Sequence, residues 1–80
     1  MLNNNNINTF TLKEGEYYIP LIQLLKVLNI ASSGANAQQM VIEGCVKVNN
    51  ITELRKRAKI REGDIVEALG NKILISQNNN

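Results

Sequence analysis

At 80 residues, the chain is long enough for one modest core and too short for two domains of ordinary size. It has a formal charge of +2, a single cysteine and no histidine, so an internal disulfide and the usual zinc-ligand sets are excluded. No run approaches the roughly 18 apolar residues of a membrane span, because Pro20, Gln23, Lys26 and Asn29 interrupt the most apolar segment. The amino terminus shows no basic stretch followed by an apolar one, so the expected location is the cytoplasm.

The asparagine runs at residues 3–6 and 78–80 have nothing to bury and read as frayed ends. A single domain over residues 8–76, with tails 1–7 and 77–80, is the expected organisation. From Asn8 to Lys13, Phe10 and Leu12 alternate with threonines, which predicts a short edge strand leading into a polar turn at Glu14–Glu16. Pro20 suits the first turn of a helix. Leu21, Leu24, Leu25 and Leu28 follow at the spacing of one buried helical face, which should end near Asn29. Ser32 or Ser33 can cap a second helix whose inner face is Ala37, Met40 and Val41, with Gly44 in the left-handed conformation at its end.

After Gly44 the period changes to two. Val46 and Val48 point one way, Cys45 and Lys47 the other, and Asn49-Asn50 turns the chain. Cys45 reads as a small residue at a strand start. Leu54 to Arg61 then reads as a strand with Leu54, Lys56, Ala58 and Ile60 on one face and Arg55, Arg57, Lys59 and Arg61 on the other. That arrangement predicts a row of cations about 7 Å apart, close to the separation of successive phosphates. Glu62-Gly63-Asp64 reads as a turn, Ile65–Leu69 as a strand, Gly70-Asn71 as a tight hairpin and Lys72–Ser76 as the last strand. The expected fold is α+β, two short helices packed on a small, mainly antiparallel sheet.

The excess positive charge is local. Residues 46–61 hold Lys47, Arg55, Lys56, Arg57, Lys59 and Arg61 against Glu53 alone, net +5, while the flanking segments are neutral or acidic. The functional expectation is an RNA-binding surface made by this segment, set against a solvated strand face that only keeps the protein soluble. Phe10, Tyr17 and Tyr18 lie outside the basic window, so backbone or shape recognition of folded RNA is expected over stacking of single-stranded bases. The competing class is a protein-interaction module docking through an exposed strand or the apolar surface around Ile19 and Ile22. A sulfur-carrier role is not expected, since such proteins end in a flexible Gly-Gly and this sequence reads Gln77-Asn78-Asn79-Asn80 there. Hydrolysis or transfer is disfavoured because the only thiol is isolated and no carboxylate pair has a nucleophile or metal partner.

Leu21, Leu24, Leu25, Ser33, Ala37, Val41, Gly44, Val46, Val48, Asn49, Ile60, Gly63, Asp64 and Ile65 together resemble the RNA-binding domain named after ribosomal protein S-four. The likeness spans roughly residues 19–66. Ser33-Gly34-Ala35, Glu43-Gly44-x-Val46-Lys47-Val48, Arg55-Lys56-Arg57 and Lys59-Ile60 narrow it to the YbcJ-like branch of small stand-alone bacterial proteins. The resemblance implies an αL-type motif that binds structured RNA, ribosomal or ribosome-associated, without catalysis or cofactor, as a monomer alongside ribosomal or assembly proteins. Similar domains occur in a ribosomal protein, tyrosyl-tRNA synthetases and pseudouridine synthases, whose catalytic domains this chain lacks.

By the same resemblance, RNA is contacted by the start of the second helix and the adjoining strand loop. The implied site is Ser33, Gly34, Gln38, Lys47, Arg55, Lys56, Arg57 and Lys59. Free N–H groups at a helix start favour phosphate, and the arginines can hold it bidentately. The chain departs from the broader family at Gly34, where arginine is usual, and at Gln38 and Cys45, where a cation is frequent; the YbcJ-like branch shares the glycine. Asn50 replaces the usual turn glycine, which asparagine tolerates.

Overall fold

The computed structural model describes residues 7–78. The expected tails at 1–6 and 79–80 lie outside the described residues. Nine elements follow in order: β1 (Ile7–Leu12), β2 (Ile19–Pro20), α1 (Leu21–Val27), α2 (Gly34–Ile42), β3 (Val46–Val48), β4 (Ile51–Thr52), β5 (Lys59–Ile60), β6 (Ile65–Ala68) and β7 (Asn71–Gln77). The strands thus begin at Ile7 and run to Gln77, one residue beyond each expected bound.

Five strands form one sheet in the order β1-β7-β6-β3-β4. All neighbours are antiparallel except β1 and β7, which run parallel. The expected α+β architecture, two short helices with a mainly antiparallel sheet, is the observed one. Each helix gives one stripe to the core: Leu21, Leu24 and Leu25 from α1, and Ala37, Met40 and Val41 from α2. Alternate sheet residues meet them, with Val46, Val66, Ala68, Ile73 and Ile75 buried. The spacing of three and four in the helices and two in the strands therefore converges on one apolar layer.

The helix ends obey local chemistry. Pro20 stands just before α1 as its N-cap, so the ring ends β2 rather than beginning the helix. Asn29 takes φ 59° after α1, and Leu25 O accepts both Ile30 N and Ala31 N. Ser33 caps α2 by accepting Asn36 N at 3.0 Å, while Asn36 Oδ1 accepts Ser32 N at 3.0 Å. Gly44 closes α2 at φ 78°, where its N–H donates to Val41 O.

Asn49 and Asn50, at φ 53° and 69°, make the two-residue turn joining β3 to β4. Asn49 also fastens the neighbouring strand: Nδ2 donates to Asp64 Oδ1 and Oδ1 accepts Ile65 N, both at 3.0 Å. The last hairpin differs from expectation by one residue. Its turn is Leu69-Gly70, at φ 50° and 81°, and Asn71 already belongs to β7 opposite Ala68. The Asn71 amide donates to Ala68 O, which holds the asparagine at the strand edge and leaves leucine in the left-handed position.

The largest departure concerns Leu54–Arg61, which is not a strand. Only Lys59 and Ile60 are extended and paired, and they pair with Ile19 and Pro20 in a separate two-stranded ribbon. Residues 53–58 form a loop with a turn at Lys56-Arg57, closed by Ala58 N donating to Arg55 O at 3.2 Å. Two anchors prevent an extended course. Glu53 accepts Arg55 N at 2.9 Å, and Ala58 O receives Leu21 N at 3.0 Å, tying the loop's end to the start of α1. The expected face of Leu54, Lys56, Ala58 and Ile60 is split accordingly: Ala58 and Ile60 are buried, Leu54 and Lys56 exposed.

Candidate nucleic-acid interface

The β2–β5 ribbon decides where the basic segment goes. Ile19 lies opposite Ile60 and Pro20 opposite Lys59, and the buried isoleucines pin the ribbon to the core. Tyr18, next to the ribbon, is 40% exposed, and Lys59 Nζ stands 5.2 Å from its ring centroid, within cation–π range. Lys56 and Arg57 follow in the exposed turn. With Gln38 of α2, Pro20 and Ile22, these residues line an open groove of about 780 Å³.

A second groove of about 580 Å³ shares Pro20 and Ile22 with the first and is completed by Gln23, Lys26, Val27 and Gly34. The two form a continuous surface from the basic turn, past the α1 start, to the start of α2. Lys56, Arg57 and Lys26 make no ion pair with any described residue, so their charge is unspent. A cation with no carboxylate partner binds phosphate without first breaking a bond.

The eight residues expected at the site separate into three groups. Gln38, Lys56, Arg57 and Lys59 converge on the larger groove. Ser33 and Gly34 stand at the α2 start, Gly34 lining the smaller groove and the Ser33 oxygen engaged in its cap. Lys47 and Arg55 stand apart. Lys47 projects from the sheet face opposite to the buried Val46, in register with Thr52 and Glu67, and lines neither groove.

Arg55 is 80% exposed along its side chain, but its fork is occupied. Nε donates to Glu53 Oε2 at 3.0 Å and Nη2 to Oε1 at 3.1 Å. The hydrogen bonds from Arg55 hold the Glu53 carboxyl below its ordinary value, and that carboxylate raises the guanidinium further. The expected single row of Arg55, Arg57, Lys59 and Arg61 therefore does not exist. A strand would have spaced these cations along one face; the turn instead gathers Lys56, Arg57 and Lys59 around a concave surface.

Tyr18 and Lys26 are the residues that sequence reasoning missed. Tyr18 lies outside the basic window in sequence, yet in the fold it shares the groove with Lys56, Arg57 and Lys59. Its signal was absent locally because the pairing that brings it there spans some forty residues of chain. The expected apolar patch at Ile19 and Ile22 is also corrected: Ile19 is buried and Ile22 partly so. Exposed apolar side chains include Val27, beside Ile22 in the smaller groove, Ile42 at the end of α2, and Ile51 and Leu54 in and just after the edge strand β4.

Comparison with known proteins agrees with this architecture. The S4 domain family matches residues 10–76. YbcJ of Escherichia coli (strain K12) is 38% identical over 58 residues, 72% of this chain and 83% of that protein, and YbcJ of Shigella flexneri matches to the same extent. The solution structure of the E. coli protein, described as revealing an αL motif involved in RNA binding, superimposes with a TM-score of 0.67 and 35% identity, covering 95% of this chain and 96% of that one. Matched along almost its whole described length, the chain belongs to the S4 domain family, in its YbcJ-like branch.

Proposed function

We propose that this protein binds the backbone of structured RNA, ribosomal or ribosome-associated, and has no catalytic role. The observation that carries the reading is the convergence of Lys56, Arg57 and Lys59 with Gln38 on one groove, where neither Lys56 nor Arg57 is neutralised by a carboxylate of the described residues. Ser33 and Gly34 extend the surface at the α2 start, where unpaired backbone N–H groups and the helix dipole favour phosphate. In this reading Arg55 and Lys47 add long-range attraction rather than direct grip. The unit that acts is residues 8–76, as a cytoplasmic monomer alongside ribosomal or assembly proteins. No helix among the described residues is long and apolar enough to cross a membrane.

Phosphate contacts position a protein without reading sequence, so the expected preference is for RNA shape. The test is amide chemical-shift mapping of the labelled chain during titration with a structured ribosomal RNA fragment. Shifts centred on Gln38 and Lys56–Lys59 support the reading. Shifts centred on Ile51 and Leu54 of the apolar edge, or none at all, reject it and favour the protein-interaction module.

A further inference from the structure

We propose that Tyr18 is a stacking platform for one unpaired nucleotide of the bound RNA, with Lys59 and Arg57 holding the phosphates on either side of it. The inference rests on the RNA-binding reading and adds the feature by which a target would be chosen. Its starting point is the composition of the larger groove: a half-exposed aromatic ring, an apolar floor of Pro20 and Ile22, three cations and one uncommitted amide, Gln38. A surface meant only for the outside of a duplex needs cations and no ring or floor. At about 780 Å³ the groove falls within the range of small-ligand sites, roughly 300–1,000 Å³, and so has room for a base.

The backbone that carries the ring is fixed before any ligand arrives. Tyr18 directly precedes Ile19, which is buried and paired with Ile60, and the next link, Leu21 N to Ala58 O, ties the other end of the ribbon. Ordering costs for a stack on such a ring are low. Lys59 Nζ already lies over the ring at 5.2 Å, the position of a cation that yields the face to an incoming base and moves to its phosphate. Gln38, with a donor and an acceptor on one amide, is equipped to meet the edge of a base seated there. Tyr17 next door is 79% exposed but lines neither groove, so the assignment is to Tyr18 alone.

The test compares two RNA hairpins with the same loop, one with a single bulged adenosine in its stem and one with a fully paired stem, on the wild-type chain, Tyr18→Leu and Tyr18→Phe. The wild type should favour the bulged hairpin, and Tyr18→Leu should lose roughly 5- to 150-fold on that RNA while keeping its affinity for the paired one. Tyr18→Phe, which keeps the ring, should retain the preference. The chain has no tryptophan and only two tyrosines, so in a Tyr17→Phe background Tyr18 is the sole emitter, and its fluorescence should fall on addition of the bulged hairpin. This reading does not depend on whether Tyr18→Leu folds. Equal wild-type binding of the two hairpins with unchanged tyrosine emission overturns the stack and leaves the RNA reading intact. Binding of neither hairpin overturns both.

Discussion

Arg55 is closed onto the carboxylate of Glu53, two residues before it, through Nε at 3.0 Å and Nη2 at 3.1 Å, while Arg57 two residues later has no acidic partner among the described residues. Two arginines in one basic run therefore carry different amounts of available charge. Removing the carboxylate should release the first. Glu53→Gln is expected to raise affinity for structured RNA at low salt and to steepen the log-log salt dependence by up to about one, whereas Arg57→Ala should flatten it by about one. Filter binding across a salt series measures both; a Glu53→Gln slope equal to the wild type's would show that Arg55 was never sequestered.

The same pair gives a pH dependence with a defined sign. Hydrogen bonds from Arg55 lower the folded-state pKa of Glu53 from its ordinary value of 4.5. A depressed carboxyl stabilises the fold above the unfolded-state value and loses that contribution as pH falls through the folded-state value. Wild type should therefore be more stable than Glu53→Gln near neutrality, and the gap should close on acidification below about pH 4. Urea midpoints of the two proteins at several pH values read this directly. A gap that widens in acid would contradict the assignment.

Gly34 is not required by backbone conformation. Its φ is not left-handed, and a Cβ there would meet only Lys26 Cδ at an ordinary 3.8 Å. Gly34→Arg should thus be accommodated at the first position of α2 and should add a cation to the smaller groove. Helix stability should change by less than about 1 kcal/mol, because the propensity gained on replacing glycine is opposed by the repulsion of a cation from the positive end of the helix dipole. RNA affinity should rise several-fold at low salt, with a steeper salt slope. Thermal melts and the same binding series test the two parts separately.

Leu69 sits at φ 50° in the β6–β7 turn with 66% of its surface exposed. A left-handed leucine costs about 1–2 kcal/mol relative to a residue suited to that region, and little burial is lost by replacing it. Leu69→Gly or Leu69→Asn should raise the urea midpoint, by an amount equivalent to about 0.5–1.5 kcal/mol after the flexibility of glycine is set against the relieved strain. RNA binding should not change, since Leu69 lines neither groove.

Elements with local signals were legible in the sequence. Ser33 as a cap, Gly44 as a stop, the leucine stripe of α1 and the Asn49-Asn50 turn each depend on residues within a few positions of one another. The basic segment was misread because its alternation of apolar and charged residues imitates the period of a strand. Its course is set instead by Glu53 folding back on Arg55 and by a distant partner, the Ile19–Pro20 strand. Among the expected site residues, the basic ones followed the charge map closely enough to include the three cations of the larger groove, while Ser33, Gly34 and Gln38 came from the family resemblance. Their grouping was hidden, as were Tyr18 and Lys26, since long-range pairing and helix packing bring these onto one surface and no short-range pattern encodes that.

The most direct test of the central claim is the affinity of the wild-type chain and of a Lys56→Ala/Arg57→Ala/Lys59→Ala variant for a structured ribosomal RNA fragment between about 50 and 200 mM salt. All three side chains are exposed, so the variant should keep the fold, which circular dichroism checks. The account predicts a wild-type log-log slope near −3, reduced by at least about two in the variant, with most of the affinity lost. Equal slopes and equal affinities for the two proteins would contradict it.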